Sequence, residues 1–122
     1  MKIGNGMKIN NLILGLILLF MGQSLSWFQT NGQFINVWIK DHPLLTSLLG
    51  GIPIGMCYIY GTTYVVEAFD GQLWAARLLG FATGIFSFSL LTYVMMNEGI
   101  TPKTGVILTL ATAIVLLQIF WK

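Results

Sequence analysis

Apolar and polar positions alternate along this chain in long blocks rather than residue by residue. Four apolar runs, at about residues 11–28, 43–66, 73–96 and 103–121, are separated by three short polar stretches. Each run is near or above the ~20 residues that a helix needs to cross a ~30 Å hydrocarbon layer. The pattern therefore predicts an all-α integral membrane protein. Its four transmembrane helices form two antiparallel helical hairpins within a single membrane domain covering residues 1–122.

The polar stretches define how the runs are joined. Between the first two, residues 33–41 suit a short interfacial helix, with Gln33, Asn36 and Lys40 on one side and Phe34, Val37 and Trp38 on the other. An ordered connection with aromatic anchors fits the same residues. Pro43 suits the first turn of the second span, where its missing N–H costs nothing, and Pro53 in mid-span predicts a kink. Asp70 suits the cap of the third span. In the last connection, Gly99 suits the left-handed position that ends a helix, Thr101 an N-cap and Pro102 a first helical residue.

The first run follows Lys2 and Lys8 and ends near Ser24 and Ser26, an arrangement that also fits a signal peptide. Its length and the Trp27-Phe28 pair, a good interfacial anchor, favour a retained span. Gly15 and Gly22 give that span a small face, with Gln23 and Ser26 beside it, which suits contact with another helix better than contact with lipid. In the second and third spans, Gly51 with Gly55 and Gly80 with Gly84 have GxxxG spacing and are candidates for close helix packing.

Composition sharpens the class. Hydrophobic residues make up 56% of the chain and charged ones 8%, whereas a folded soluble surface is about 25–35% charged. The net charge of +2 is too small and scattered for a nucleic-acid surface. Cys57 has no partner for a disulfide within the chain, and no cluster of Cys or His has metal-ligand spacing. Cys57 reads as a small buried hydrophobe. His42 stands between Asp41 and Pro43 with no activated nucleophile, so an enzyme is not expected, and no cofactor is implied.

Candidate chemistry gathers around the second connection. Glu67, Asp70 and Arg77 lie within it or one turn inside the flanking spans, and a bare charge at the bilayer centre costs about 2.5–3.5 kcal/mol on insertion scales. Arg77 can snorkel to the headgroups, the simpler reading, or pair with Glu67 across the hairpin. In the second span Tyr58, Tyr60, Thr62, Thr63 and Tyr64 follow the glycines. Tyr64 suits an interfacial aromatic belt, while Tyr60, about two turns inside the boundary, is the candidate for lining a polar cavity.

Four spans put both termini on one side. Lys2, Lys8, Arg77 and Lys122 lie on that side, and Lys40 and Lys103 on the other. The positive-inside rule then expects cytoplasmic termini, in an inner or cytoplasmic membrane, by a margin narrow enough to leave insertion in both orientations open.

The run from Asn97 to Leu108, Asn-Glu-Gly-Ile-Thr-Pro-Lys-Thr-Gly-Val-Ile-Leu, resembles the polar turn and glycine-led final helix of the small multidrug resistance proteins and the wider drug/metabolite transporters. Gly22-Gln23-Ser24-Leu25, leading into an aromatic-bounded polar loop, is similar to their first helix in spacing. The resemblance implies a four-helix transporter working as a homo-oligomer. That family carries a membrane-embedded glutamate one turn before this glycine, and the corresponding position here is about Leu19. The family's proton-exchange chemistry is therefore not implied.

These observations lead to two expectations. The first is a transporter-like protein moving a small solute as a homo-oligomer, a dimer, with Glu67 and Arg77 as a charged gate and Gln23, Tyr60 and Thr63 as polar groups of the pathway. The second is a non-transporting accessory or assembly subunit that packs its glycine faces against a larger membrane partner. In both, the lipid bilayer is the immediate surrounding.

Overall fold

A computed structural model describes residues 6–121. Lys2 and Lys122, which contribute to the expected orientation, lie outside the described residues, as does the side chain of Lys8. The described chain forms α1 (Gly6–Asn31), a 3-10 turn (Gly32–Phe34), α2 (Val37–Asp41), α3 (Pro43–Ala68), α4 (Leu73–Met96) and α5 (Pro102–Phe120). Four of these are long and apolar enough to cross a membrane. The protein is an all-α integral membrane protein of two antiparallel helical hairpins, α1 with α3 and α4 with α5.

Local chemistry sets the helix ends. The expected interfacial helix is divided, because the Asn36 side chain accepts hydrogen bonds from the N–H groups of Trp38, at 2.8 Å, and Ile39, at 3.4 Å, and starts α2 there. His42 stacks on Trp38 with ring centroids 4.4 Å apart and its Nδ1 lies 2.8 Å from the Trp38 carbonyl oxygen. This contact packs the short helix against the start of α3.

Asp70 does not cap α4. It takes a left-handed conformation, φ 56°, followed by Gly71 at φ 91°, and the Gly71 N–H reaches back to the Val66 carbonyl at 2.8 Å. That bond satisfies a carbonyl at the end of α3 and reverses the chain, while Gln72 holds the N-cap position without a side-chain bond. At the end of α4 the left-handed residue is Asn97, φ 59°, instead of Gly99. Asparagine is among the few residues with a side chain that tolerate this conformation. Thr101 does cap α5, its hydroxyl oxygen accepting from the Thr104 N–H at 3.2 Å, with Pro102 first in the helix.

The bundle is organised around α1. This helix makes its most extensive contact with antiparallel α3 and its second with parallel α4, whereas α3 and α4 touch far less and α5 packs on α4. Leu12 and Leu19 of α1, Val65, Ala68 and Phe69 at the end of α3, and Ala75, Ala76 and Leu79 of α4 form the core.

Helix α1 approaches α3 closely because both are glycine at the crossing. A Cβ on Gly15 would fall 2.6 Å from Val65 Cγ2, and one on Gly61 3.1 Å from the Leu19 backbone nitrogen. Gly22 meets Cys57 and Tyr58 in the same way, leaving Cys57 half-buried.

The GxxxG pairs are placed otherwise than expected. Around Gly51, Gly55 and Gly80 a Cβ would meet nothing within 4 Å, and Gly84 meets Gln23 of α1. In this chain those glycines therefore do not pack α3 on α4. The physical reason is that Gly84 faces α1, while Gly51 and Gly55 lie on a face of α3 with open space around it.

Candidate functional site

Two features arise where α1 passes between its neighbours: a seam of interhelical hydrogen bonds and an open groove. The seam uses the polar residues in the last third of α1. Gln23 Nε2 donates to the Gly80 carbonyl at 3.0 Å, Ser24 and Ser87 share a hydroxyl hydrogen bond at 2.9 Å, and Trp27 Nε1 donates to Thr92 Oγ1 at 3.0 Å. On the other side, Ser26 and the Tyr58 hydroxyl are 2.9 Å apart. Among the described residues no buried side-chain nitrogen or oxygen lacks a partner. In hydrocarbon such bonds average about 0.6 kcal/mol each, so the seam fixes the rotation of α1 against α3 and α4.

The groove lies where α3 and α4 separate around α1. Leu19 and Gln23 form its floor, Tyr58 and Thr62 of α3 one wall, and Trp74, Arg77, Phe81, Gly84, Ile85 and Phe88 of α4 the other. Its volume is about 960 Å³, at the top of the ~300–1,000 Å³ range of small-molecule sites. Trp74, Arg77, Phe81, Gly84 and Phe88 recur at alternate steps of three and four, so one stripe of α4 faces the opening. Gly80, with no Cβ to fill the space, deepens it.

Among the described residues, Arg77 is the only charged one lining the groove. It stands one turn inside α4, at the end of the groove nearest the α3–α4 turn. Glu67 lies near the end of α3, where Asn11 Nδ2 donates to its Oε2 at 3.4 Å. Among the described residues no ion pair joins Glu67 to Arg77, and Glu67 is not among the groove residues.

Of the residues expected to form a pathway, the structure brings Gln23 and Arg77 to the groove and leaves three outside it. Tyr60 is 52% exposed on the outer face of α3, and the Thr63 hydroxyl donates to the Ile59 carbonyl of its own helix at 2.9 Å. Tyr58 and Thr62 stand in the wall instead. Two residues along a helix turn the side chain by about 200°, so Tyr58 and Tyr60 necessarily face opposite ways. Gly61, the small residue next to Thr62 on the α1-facing side, is the sequence signal that marks the inner face.

Leu19, which stands where the resembled family has its glutamate, is 2% exposed and packs on Gly61. A close apolar contact fills that position. Compared with known protein families, curated proteins and solved structures, the chain matches none of them.

Proposed function

We propose that this protein is a transporter-like membrane protein that takes a small amphiphilic solute sideways from the bilayer into the α3–α4 groove and works as a homo-oligomer. The observation that carries this reading is the groove: apolar, of ligand size, and bearing a single guanidinium at its outer end. Apolar walls with few convergent polar groups are the usual make-up of a small-molecule site. The resemblance to the small multidrug resistance proteins adds to it. The solute is amphiphilic rather than fully polar because Gln23, Ser24, Ser26 and Trp27 are engaged in holding helices together. The gate then reduces to Arg77, with Glu67 acting from outside the groove. The positive-inside bias favours cytoplasmic termini, in an inner or cytoplasmic membrane, and leaves insertion in both orientations open.

The test is movement of a fluorescent amphiphile across vesicles reconstituted with the protein. The reading requires a rate above that of empty vesicles and a fall on Arg77→Leu. Equal rates with and without the protein would refute it.

An accessory or assembly subunit is the second reading, and one observation favours it. Gly51 and Gly55 leave a small-residue face of α3 open, of the kind a partner helix packs against in membranes. Recovery of the protein from native membranes in a larger complex, lost on Gly55→Leu, would establish that role. Recovery as a homo-dimer would count against it.

A further inference from the structure

Among the described residues the groove carries one fixed positive charge, Arg77 at its outer end, and its length is informative. From Arg77 to Phe88 the helix rises about 16 Å at ~1.5 Å per residue. That distance is about half of a ~30 Å hydrocarbon layer, the depth of a single leaflet. The groove therefore starts at the headgroup level, where Trp74 is suited to sit, and ends near the bilayer midplane.

We infer that the groove holds one phospholipid with an anionic headgroup, its phosphate on the Arg77 guanidinium and an acyl chain lying along Phe81, Gly84 and Phe88. This rests on the proposed reading of the groove as a binding site and names the chemical class that fills it. A guanidinium is planar and presents paired N–H donors that match phosphate oxygens. Among the described residues no carboxylate lines the groove to compete for it.

A crevice of about 330 Å³ on the opposite flank, lined by Ile17, Met21, Phe86 and Val115 among others, gives an internal contrast. Among the described residues none that lines it is charged, so it offers acyl chains a site without selecting a headgroup.

A second copy of the chain in the same orientation fits the groove less well. A two-fold contact made by the α4 stripe between copies in the same orientation puts equivalent residues opposite each other at equal depth. The two Arg77 side chains would then meet in a poorly solvated region, at a cost in like-charge repulsion.

Native mass spectrometry of the intact protein, released from nanodiscs containing equal amounts of phosphatidylglycerol and phosphatidylcholine, tests the inference. One phosphatidylglycerol is expected to remain bound, preferred by about fivefold, the effect that one basic side chain supplies at an anionic membrane surface. Arg77→Leu should abolish the preference and Arg77→Lys retain most of it. Gly80→Leu should remove the bound lipid altogether, because its side chain extends into space now empty within 4 Å. Unchanged circular dichroism would show that these variants are folded.

Equal retention of the two lipids by the wild-type protein would overturn the inference, as would an undiminished preference in Arg77→Leu. A lipid-free dimer broken by Gly80→Leu would assign the groove to a second copy and also overturn it. Selective lipid retention without movement of amphiphile across vesicles would leave this inference standing and refute the transport reading alone.

Discussion

Replacing Gly15 by alanine would place a methyl group 2.6 Å from Val65 Cγ2 and 3.0 Å from both the Gly61 carbonyl oxygen and the Val65 nitrogen. Val65 is 0% exposed, so its side chain cannot swing aside, and the other two atoms belong to the α3 backbone. The helices must separate to admit the methyl, and overpacking of this kind costs about 1–3 kcal/mol. Alanine recovers up to about 1 kcal/mol through its better helix propensity. Because two of the three clashing atoms are backbone, the upper part of that range, about 2–3 kcal/mol, applies, and the net expectation is a loss of about 1–2 kcal/mol. Gly55→Ala provides the control: nothing lies within 4 Å of its Cβ, so the propensity gain stands alone and stability holds or rises. Reversible unfolding in mixed detergent micelles, followed by circular dichroism, compares the two. Gly15→Ala as stable as the wild type, or Gly55→Ala the weaker of the pair, would refute the α1–α3 crossing.

Other predictions concern the seam, the turns and the groove wall. A double-mutant cycle on Ser24→Ala and Ser87→Ala should return a coupling of about 0.6 kcal/mol, and no coupling would mean that the hydroxyls do not meet. Asn97→Ala should cost about 1–2 kcal/mol because it forces alanine into the left-handed region, whereas Gly99→Ala, with open space around it, should leave the melting temperature unchanged. Thr101→Ala should lose about 1 kcal/mol of stability by removing the α5 cap. In the vesicle assay, Tyr60→Phe should behave as wild type, while Tyr58→Phe breaks the bond to Ser26 and lowers the rate.

The spans were legible because about twenty consecutive apolar residues admit few other structures. The Thr101-Pro102 start of α5 follows from capping chemistry written locally in the chain, whereas α4 starts after Gln72 without a side-chain cap and ends on Asn97 instead of Gly99. Which helices touch was less legible. GxxxG spacing at Gly51/Gly55 and Gly80/Gly84 points to packing of α3 on α4, and only the position of α1 decides that Gly15, Gly22, Gly61 and Gly84 carry the close approach.

The site was legible in part for the same reason. Gln23 and Arg77 stood out by type, as rare polar groups in apolar runs. Tyr60 was favoured over Tyr64 by its depth, and depth does not determine rotation. The rotation of α3 is set by Gly61 and Val65 packing on α1, a long-range contact with no local signature. Glu67 and Arg77 were joined by proximity along the chain, yet the Asp70-Gly71 turn sends Arg77 to the groove and leaves Glu67 near Asn11.

The most direct test of the groove as the functional site is to reconstitute the protein with a photoactivatable anionic phospholipid and map the adducts by peptide mass spectrometry. The account predicts adducts concentrated at Phe81, Ile85 and Phe88 and lost in Gly80→Leu. Adducts spread evenly over the exposed faces of α3, α4 and α5, unchanged in that variant, would contradict it.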